Sequence, residues 1–599
     1  MNNKLKIAVL SVVVILTVYI AGCTKKLEEH PYTTFTTAYF QTPTGLQSAV
    51  TTLYSGMRYI YGPEPSLAIT VMGTDEFTGG DQVLAATGGQ YVRSFALYGG
   101  STPISPSDGS LLNIWNSVFS LINLANGVVS IAPTVNIDAQ TKSTYIAEAR
   151  FLRGLCYLTL VSQFGAVPVD LGSGDFAFNT IPYQGFNILI NGTKDSVLVK
   201  NYNGMIADFA YASQNLPDQR PVNAFRLSKA AAYMMLSRVY IYRGYSKLKQ
   251  NTDFANAYAA AMEVINNQAK YGVALQQDFG QVNRQGNDYN PEILYAVERL
   301  ANDPNDNETP VTTNTAGKGN NASIAFAPNY TAVTGAKAPG VAREAIWGRP
   351  YRRFAPTRWL WDTCYADKYN DSRYHNSFQM MWYTVQGGVN GNPINYGDTA
   401  FVLAETQAQA DSFRSLNRPF AIVPPSKFWT LQNNDPQNVY PYLKKFSDSA
   451  KGNFNDVVDG RPFKVAKLSE LYLLAAEACL QGAGGGTGEA ANLINVLRAR
   501  AAYRPTLTPA QVTARAAALQ VTAAQITLDF ILDERTRELC GESVRWADLA
   551  MRGKLVSRVQ AHNPDAGPNI QTFHSLRPIP QSQLDAVTTK NPAYQNPGY

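Results

Sequence analysis

Leu468-Ser-Glu-Leu-Tyr-Leu-Leu-Ala-Ala-Glu-Ala478 is the stretch on which the fold turns. Leu468, Leu471, Tyr472, Ala475, Ala476 and Cys479 recur in the steps of three and four that line one helical face. Leu493, Val496 and Leu497 carry the pattern into a second helix, and Leu528, Ile531, Leu532 and Leu539 into another. Gly482-Ala-Gly-Gly-Gly-Thr-Gly488 lies between the first two. Gly486-x-Gly488-x-x-Ala491 fits a relaxed dinucleotide fingerprint, but that motif requires a preceding strand, and a helical pattern precedes it here. No Lys-Ser/Thr pair completes a phosphate loop. The run reads as the turn of a helical hairpin.

Upstream, Ala147, Phe151, Leu155 and Leu158 mark an amphipathic helix within residues 142–164, ended by Phe164-Gly165 with Pro168 beyond. Helical patterns recur at about 110–130, 201–216, 226–244 and 253–269. Adjacent helices with short turns predict stacked hairpins of tetratricopeptide type, on the strength of helix pairing, since no strict ~34-residue period is visible. Between 300 and 464 the helical period disappears in favour of Asn, Gly, Thr, Pro and aromatics. So long a segment is functional or disordered, and its aromatic content argues for order. The expected class is mainly α, a helical-hairpin scaffold carrying a large irregular, loop-rich region. A single domain spans 23–299, 300–464 and 465–599.

Residues 1–22 read as an address. Lys4 and Lys6 precede an apolar run, Ile7 to Ile20, too short for a comfortable ~20-residue span and of secretory length. It ends in Ile20-Ala21-Gly22-Cys23, which resembles a bacterial lipobox. That resemblance implies cleavage before Cys23, with lipid on its sulfur and on the new amine, and two or more acyl chains suffice for stable anchoring. The other cysteines, Cys156, Cys364, Cys479 and Cys540, show no metal-like spacing and are expected as buried thiols. His30, His375, His562 and His574 are scattered, so neither a metal site nor a cofactor is expected. The net charge of +6 includes both leader lysines and is too diffuse to argue for nucleic acid.

Asp533-Glu-Arg-Thr-Arg-Glu538, followed by Glu542, Arg545 and Asp548, could supply acid–base chemistry. Glu534 and Glu538 lie four apart with arginines interleaved, however, the geometry of structural ion pairs. Asp75-Glu76 fits no glycosidase signature, and no GxSxG elbow is present. The strongest candidate surface is aromatic. Trp347, Trp359, Trp361 and Trp382 fall in one stretch with Tyr351, Tyr383, Arg349, Arg352, Arg353 and Arg358. Flat rings offer platforms to sugar C–H faces, while arginines hydrogen-bond hydroxyls. Trp359 and Trp361 read as core; Trp347, Tyr351 and Trp382 read equally as ligand contacts or core.

Ordered segments from Cys23 to the last residue together resemble the SusD/RagB family of starch-utilisation-type outer-membrane lipoproteins. They include Cys23-Thr-Lys-Lys-Leu-Glu-Glu, Thr74-Asp75-Glu76, Trp115-Asn116, and Ala147-Glu-Ala-Arg-Phe-Leu-Arg-Gly-Leu-Cys-Tyr157. Leu468 to Ala478, Ile494-Asn-Val-Leu-Arg-Ala-Arg500, Ile531 to Leu539, Arg545-Trp-Ala-Asp-Leu549, Leu576-Arg-Pro-Ile-Pro580 and Gln595-Asn-Pro-Gly-Tyr599 complete the set. The resemblance implies a lipid-anchored protein on the surface of a Gram-negative outer membrane. It would cap a SusC-like TonB-dependent transporter, bind oligosaccharide or, in some members, peptide, and catalyse nothing. It also implies ligand contacts from loops after the Asp-Glu segment and from the central region, here Asp81, Gln90, Tyr91, Arg93, Trp347, Tyr351, Arg352 and Trp382. A surface glycoside hydrolase and a ligand-free scaffold are the alternatives from other classes.

Overall fold

The computed structural model describes residues 37–84, 92–100, 102–169, 194–222, 225–300, 319–333, 341–385, 397–418, 420–433, 435, 437–586 and 594–599. Its longer helices include α1 (Pro43–Gly56), α2 (Glu64–Val71), α3 (Gly109–Ile131) and α4 (Ala139–Phe164). α5 (Lys194–Asn215), α6 (Lys229–Tyr245) and α7 (Asp253–Asn266) follow. After the irregular region come α8 (Leu468–Leu480), α9 (Gly486–Ala501), α10 (Leu528–Leu539), α11 (Arg545–Met551) and α12 (Leu555–His562). The helical periods of the sequence thus mark real helices, and local chemistry sets their ends. Asp108 caps α3 by accepting from the Ser110 amide at 2.8 Å, and Asp138 caps α4 through Thr141 at 2.9 Å. Gly165, at φ +74°, closes α4 in a backbone conformation that side chains disfavour.

Consecutive helices from α3 to α9 pack on one another, and α7 meets α8 directly. Those two are separated in sequence by the whole irregular region, so the helical stack is continuous in space though interrupted in the chain. By length and apolar composition α3 could cross a membrane, yet it packs between α1 and α4 and buries Trp115, Val118 and Ile122. The glycine run is the α8–α9 turn. Gly482 and Gly485 have φ of +97° and +86°, and a Cβ on Gly484 would meet the Tyr258 ring at 2.4 Å.

The irregular region contributes short strands. β1 (Phe77–Gly79) pairs antiparallel with β3 (Phe354–Pro356), and β2 (Ile293–Val297) with β7 (Phe463–Lys467). β4 (Met381–Tyr383) lies antiparallel to β5 (Thr399–Leu403), which runs parallel to β6 (Ala421–Val423).

α8 is buried on both sides. Its apolar stripe is buried, but so are Glu470 and Glu477 on the other side. Each is neutralised by arginine: Glu470 by Arg238 at 2.6 Å and Arg535 at 2.9 Å, Glu477 by Arg552 at 2.7 Å. The acidic motif of α10 extends this network. Glu534 meets Arg373 and Arg498, Glu538 meets Arg500, and Asp548 meets Arg535 at 2.7 Å. Asp75 accepts a bidentate pair from one edge of the Arg545 guanidinium, Nε at 2.7 Å and Nη2 at 2.6 Å, and a further bond from Arg558 Nε at 2.6 Å. The structural reading of these carboxylates therefore holds. Cys156, Cys364, Cys479 and Cys540 are buried thiols.

Burial alone would raise the Asp75 carboxyl, but Arg545 and Arg558 hold it down at about 2. Burial wins at neighbouring Glu76, pushed up to about 7 against the pull of Arg545. Arg545→Ala leaves Asp75 short of its main partner, and we expect a loss of about 3–5 kcal/mol in denaturant unfolding. Glu76 holds its proton more tightly folded than unfolded, so its contribution is full below its ordinary value of 4.5 and is lost as pH rises towards 7. Urea midpoints of Glu76→Gln should therefore fall less across that window than those of the wild type; parallel profiles would show that Glu76 does not titrate there.

Candidate functional site

The pleat of β4 decides the aromatic surface. Successive strand residues face opposite ways, so Trp382 points inward at 0% exposure while Met381 and Tyr383 point outward at 36% and 43%. Trp382 stacks on Phe401, its direct partner across the ladder, with centroids 4.6 Å apart and planes at 10°. Tyr330 covers it further, at 6.5 Å. With its ring enclosed, Trp382 is a core residue and offers no face to a ligand, which corrects that expectation.

Tyr383, on the opposite face, stacks against Trp347 with centroids 6.3 Å apart and planes at 24°. Trp347 sits on a helical turn closed by its own amide and that of Gly348, both donating to the Glu344 carbonyl at 3.0 Å. Gly348 has φ +69°, and its carbonyl accepts from the Tyr330 hydroxyl, which ties the turn to the core side of the sheet. Trp347 keeps only 9% exposure, whereas Ile346 beside it is 53% exposed. Of these two rings the open one is Tyr383, with Trp347 as its backing. Strand alternation across Met381-Trp-Tyr383 is the one local signal for Tyr383, and three residues are too few to fix its phase.

The following segment is pinned by its backbone. Tyr351, Arg352 and Arg353 donate their amides to the carbonyls of Ile324, Ala327 and Ala325 at 3.0–3.2 Å. Arg352 is left at φ +56°, a conformation costing a non-glycine residue roughly 1–2 kcal/mol. Tyr351 is partly buried between Arg349 and Arg353, whose guanidinium carbons lie 5.2 and 5.4 Å from its ring centroid.

Two expected contacts do come together. Arg352 pairs with Asp81 at 3.2 Å, because β1 pairs with β3 and delivers both chains to the same corner. Gly80 makes the approach possible: its amide donates to the Arg353 carbonyl at 2.8 Å, and a Cβ there would lie 2.2 Å from the Arg352 carbonyl oxygen. Burial raises the Asp81 carboxyl, with Arg352 opposing. Asp81 is buried and Arg352 partly exposed, so the pair serves as a brace as much as a contact. Arg93 opens a short helix, Arg93–Leu97, and is half-buried. Gln90 and Tyr91 lie outside the described residues.

Trp359 and Trp361 are core, as expected. Trp359 lies on His562, centroids 4.8 Å apart, beneath Arg558, and Trp361 meets Phe428 edge-on at 5.2 Å. The carboxylates that acid–base chemistry would need, Asp75, Glu76, Glu534 and Glu538, are buried away from this surface.

A stack of helical hairpins carries an irregular half with an open ring and arginines on it, and the comparisons with known proteins place that architecture in a family. The SusD family model matches residues 291–599, and the model described as "Starch-binding associating with outer membrane" matches residues 28–241. The chain belongs to the SusD family, of SusD/RagB type. It is 26% identical to the SusD-like protein P2 of Formosa agariphila over 98% of both chains. Among solved structures, a SusD homolog from Bacteroides thetaiotaomicron superposes with a TM-score of 0.66 at 19% identity, covering 94% of this chain and 98% of that one. A laminarin binding SusD-like protein gives 0.63 at 20% identity, covering 93% and 99%.

Opposite faces of β4 should respond differently to truncation. Trp382→Ala removes a fully enclosed ring and should cost about 3–5 kcal/mol of stability. Tyr383→Ala should stay within about 1 kcal/mol of the wild type, as exposed positions do. Equal losses for the two, measured by urea denaturation, would place Tyr383 in the core.

Proposed function

We propose that this chain is a non-catalytic glycan-binding protein, held at the outer membrane by lipid on Cys23, that passes oligosaccharide to a SusC-like TonB-dependent transporter. The observation that carries the binding step is the open Tyr383 ring backed by Trp347 on the irregular half. Apolar ring faces suit the C–H faces of pyranoses, and an aromatic already held in place loses little conformational freedom on binding. A family whose models are described in terms of starch and the outer membrane supports the ligand class and the location. So does a related fold solved as a laminarin binding protein. Burial of the acidic motif residues in ion pairs supports a role without catalysis.

Cys23 lies outside the described residues, and its role rests on the lipobox-like Ile20-Ala21-Gly22-Cys23. Asp81, Arg352, Tyr351 and Arg93 extend the proposed ligand surface, and Gln90 and Tyr91 would complete it. Calorimetry against a panel of oligosaccharides should find a ligand whose affinity falls about tenfold in Tyr383→Ala, the equivalent of ~1.4 kcal/mol. Binding only to peptides would replace glycan with peptide as the ligand, and turnover of a purified polysaccharide would overturn the non-catalytic role. Cys23→Ala should move the protein from the membrane to the soluble fraction of cells with its ligand affinity unchanged.

A further inference from the structure

The arginines around the Trp347 turn differ in what already satisfies them. Arg352 has Asp81 at 3.2 Å, Arg353 has Glu64 at 2.9 Å, and Arg358, further along, has Asp362 at 3.2 Å. Arg349 pairs with no carboxylate among the described residues; its guanidinium carbon lies 5.2 Å from the Tyr351 ring centroid. Exposed Arg343 adds a second positive group, and Glu344 is the acidic residue of the same turn.

A guanidinium beside a ring and without a carboxylate keeps its N–H donors available, and that planar fork matches carboxylate and sulfate oxygens. The aromatic ring limits the rotamer freedom that a long side chain would otherwise lose on binding. Arg349 stands two residues from Trp347, whose partner Tyr383 is the open ring. The backing of the ring platform and the charge therefore lie two residues apart in the chain. A neutral sugar would use the platform and leave Arg349 only hydroxyls, whereas an acidic sugar would give it a charge-assisted hydrogen bond of roughly twice the strength.

We infer that the site selects anionic glycans, chains bearing carboxylate or sulfate groups, and that Arg349 is the residue that reads the charge. The inference rests on the glycan-binding role proposed above. It makes Arg349 a specificity residue and Tyr383 an affinity residue, two roles that separate experimentally.

The test compares an oligogalacturonate, a sulfated galactan oligosaccharide and a neutral laminari-oligosaccharide of equal length on the full-length protein, by calorimetry at low and high salt. One of the acidic ligands should bind about tenfold more tightly than the neutral one at low salt, and lose that advantage at high salt as screening sets in. Which of the two binds identifies the anionic group as carboxylate or sulfate. Arg349→Gln should reduce the acidic-to-neutral affinity ratio about tenfold, and Arg349→Lys should restore part of it, since charge survives without the fork. Thermal melts of both variants check that the fold is intact. A neutral ligand that binds as well as either acidic one, with the ratio unmoved in Arg349→Gln, overturns the charge selection and leaves the glycan role standing. No glycan binding of any kind, with Tyr383→Ala indistinguishable from wild type, overturns both.

Discussion

Asp75 is bound by two arginines, Arg545 and Arg558, contributed from the other end of the chain. All three side chains are buried. An ionised group taken out of water costs several kcal/mol, and only close, well-directed partners offset it. The segment carrying Asp75 is therefore held to one position relative to α11 and α12. Phe77 and Gly79 follow immediately, and their pairing with β3 sets where Gly80, Asp81 and Arg352 meet. The corner of the candidate surface is thus positioned by an ion pair it does not contain. Glu470, Glu477, Glu534 and Glu538 apply the same constraint around α8 and α10, each joining helices that apolar packing alone could leave free to slide.

The continuity of α7 with α8 explains how a long irregular segment is tolerated. Its two ends are antiparallel neighbours through β2 and β7, so the excursion leaves the helical stack and returns at one place. Closing a long loop costs only slowly more as it lengthens, and buried Arg373 ties the excursion back to the stack through Glu534. Strands such as β4 are short and pinned by a few backbone hydrogen bonds. Tyr383 takes no part in the ion network that holds the helices, so the exposed face of β4 can change its side chains without touching that network.

The helices were legible in sequence because a helix repeats its instruction every few residues. The stripe from Leu468 to Cys479, the stop at Gly165 and the glycine turn before α9 each state their structure locally. Interleaved Glu534, Arg535, Arg537 and Glu538 likewise announce ion pairing, though not with whom. The partners Arg373, Arg498, Arg500 and Glu470 are distant in sequence, and nothing local encodes that distance. For the same reason the stripe of α8 is legible while the burial of Glu470 and Glu477 on its other side is not, since the arginines that cover them are distant in sequence.

The aromatic surface was legible as a composition and not as a set of faces. A three-residue strand gives too short an alternation to establish its phase, and the inward position went to the largest ring. Trp382 fits because Phe401 and Tyr330 lie parallel to it, a geometry that only the paired strands create. Tyr383 then faces outward by necessity, one pleat away. The division that follows is physical. The larger ring loses more by contact with water and is enclosed, while the phenol, with a polar tip that water satisfies, is the ring that can wait exposed for a ligand.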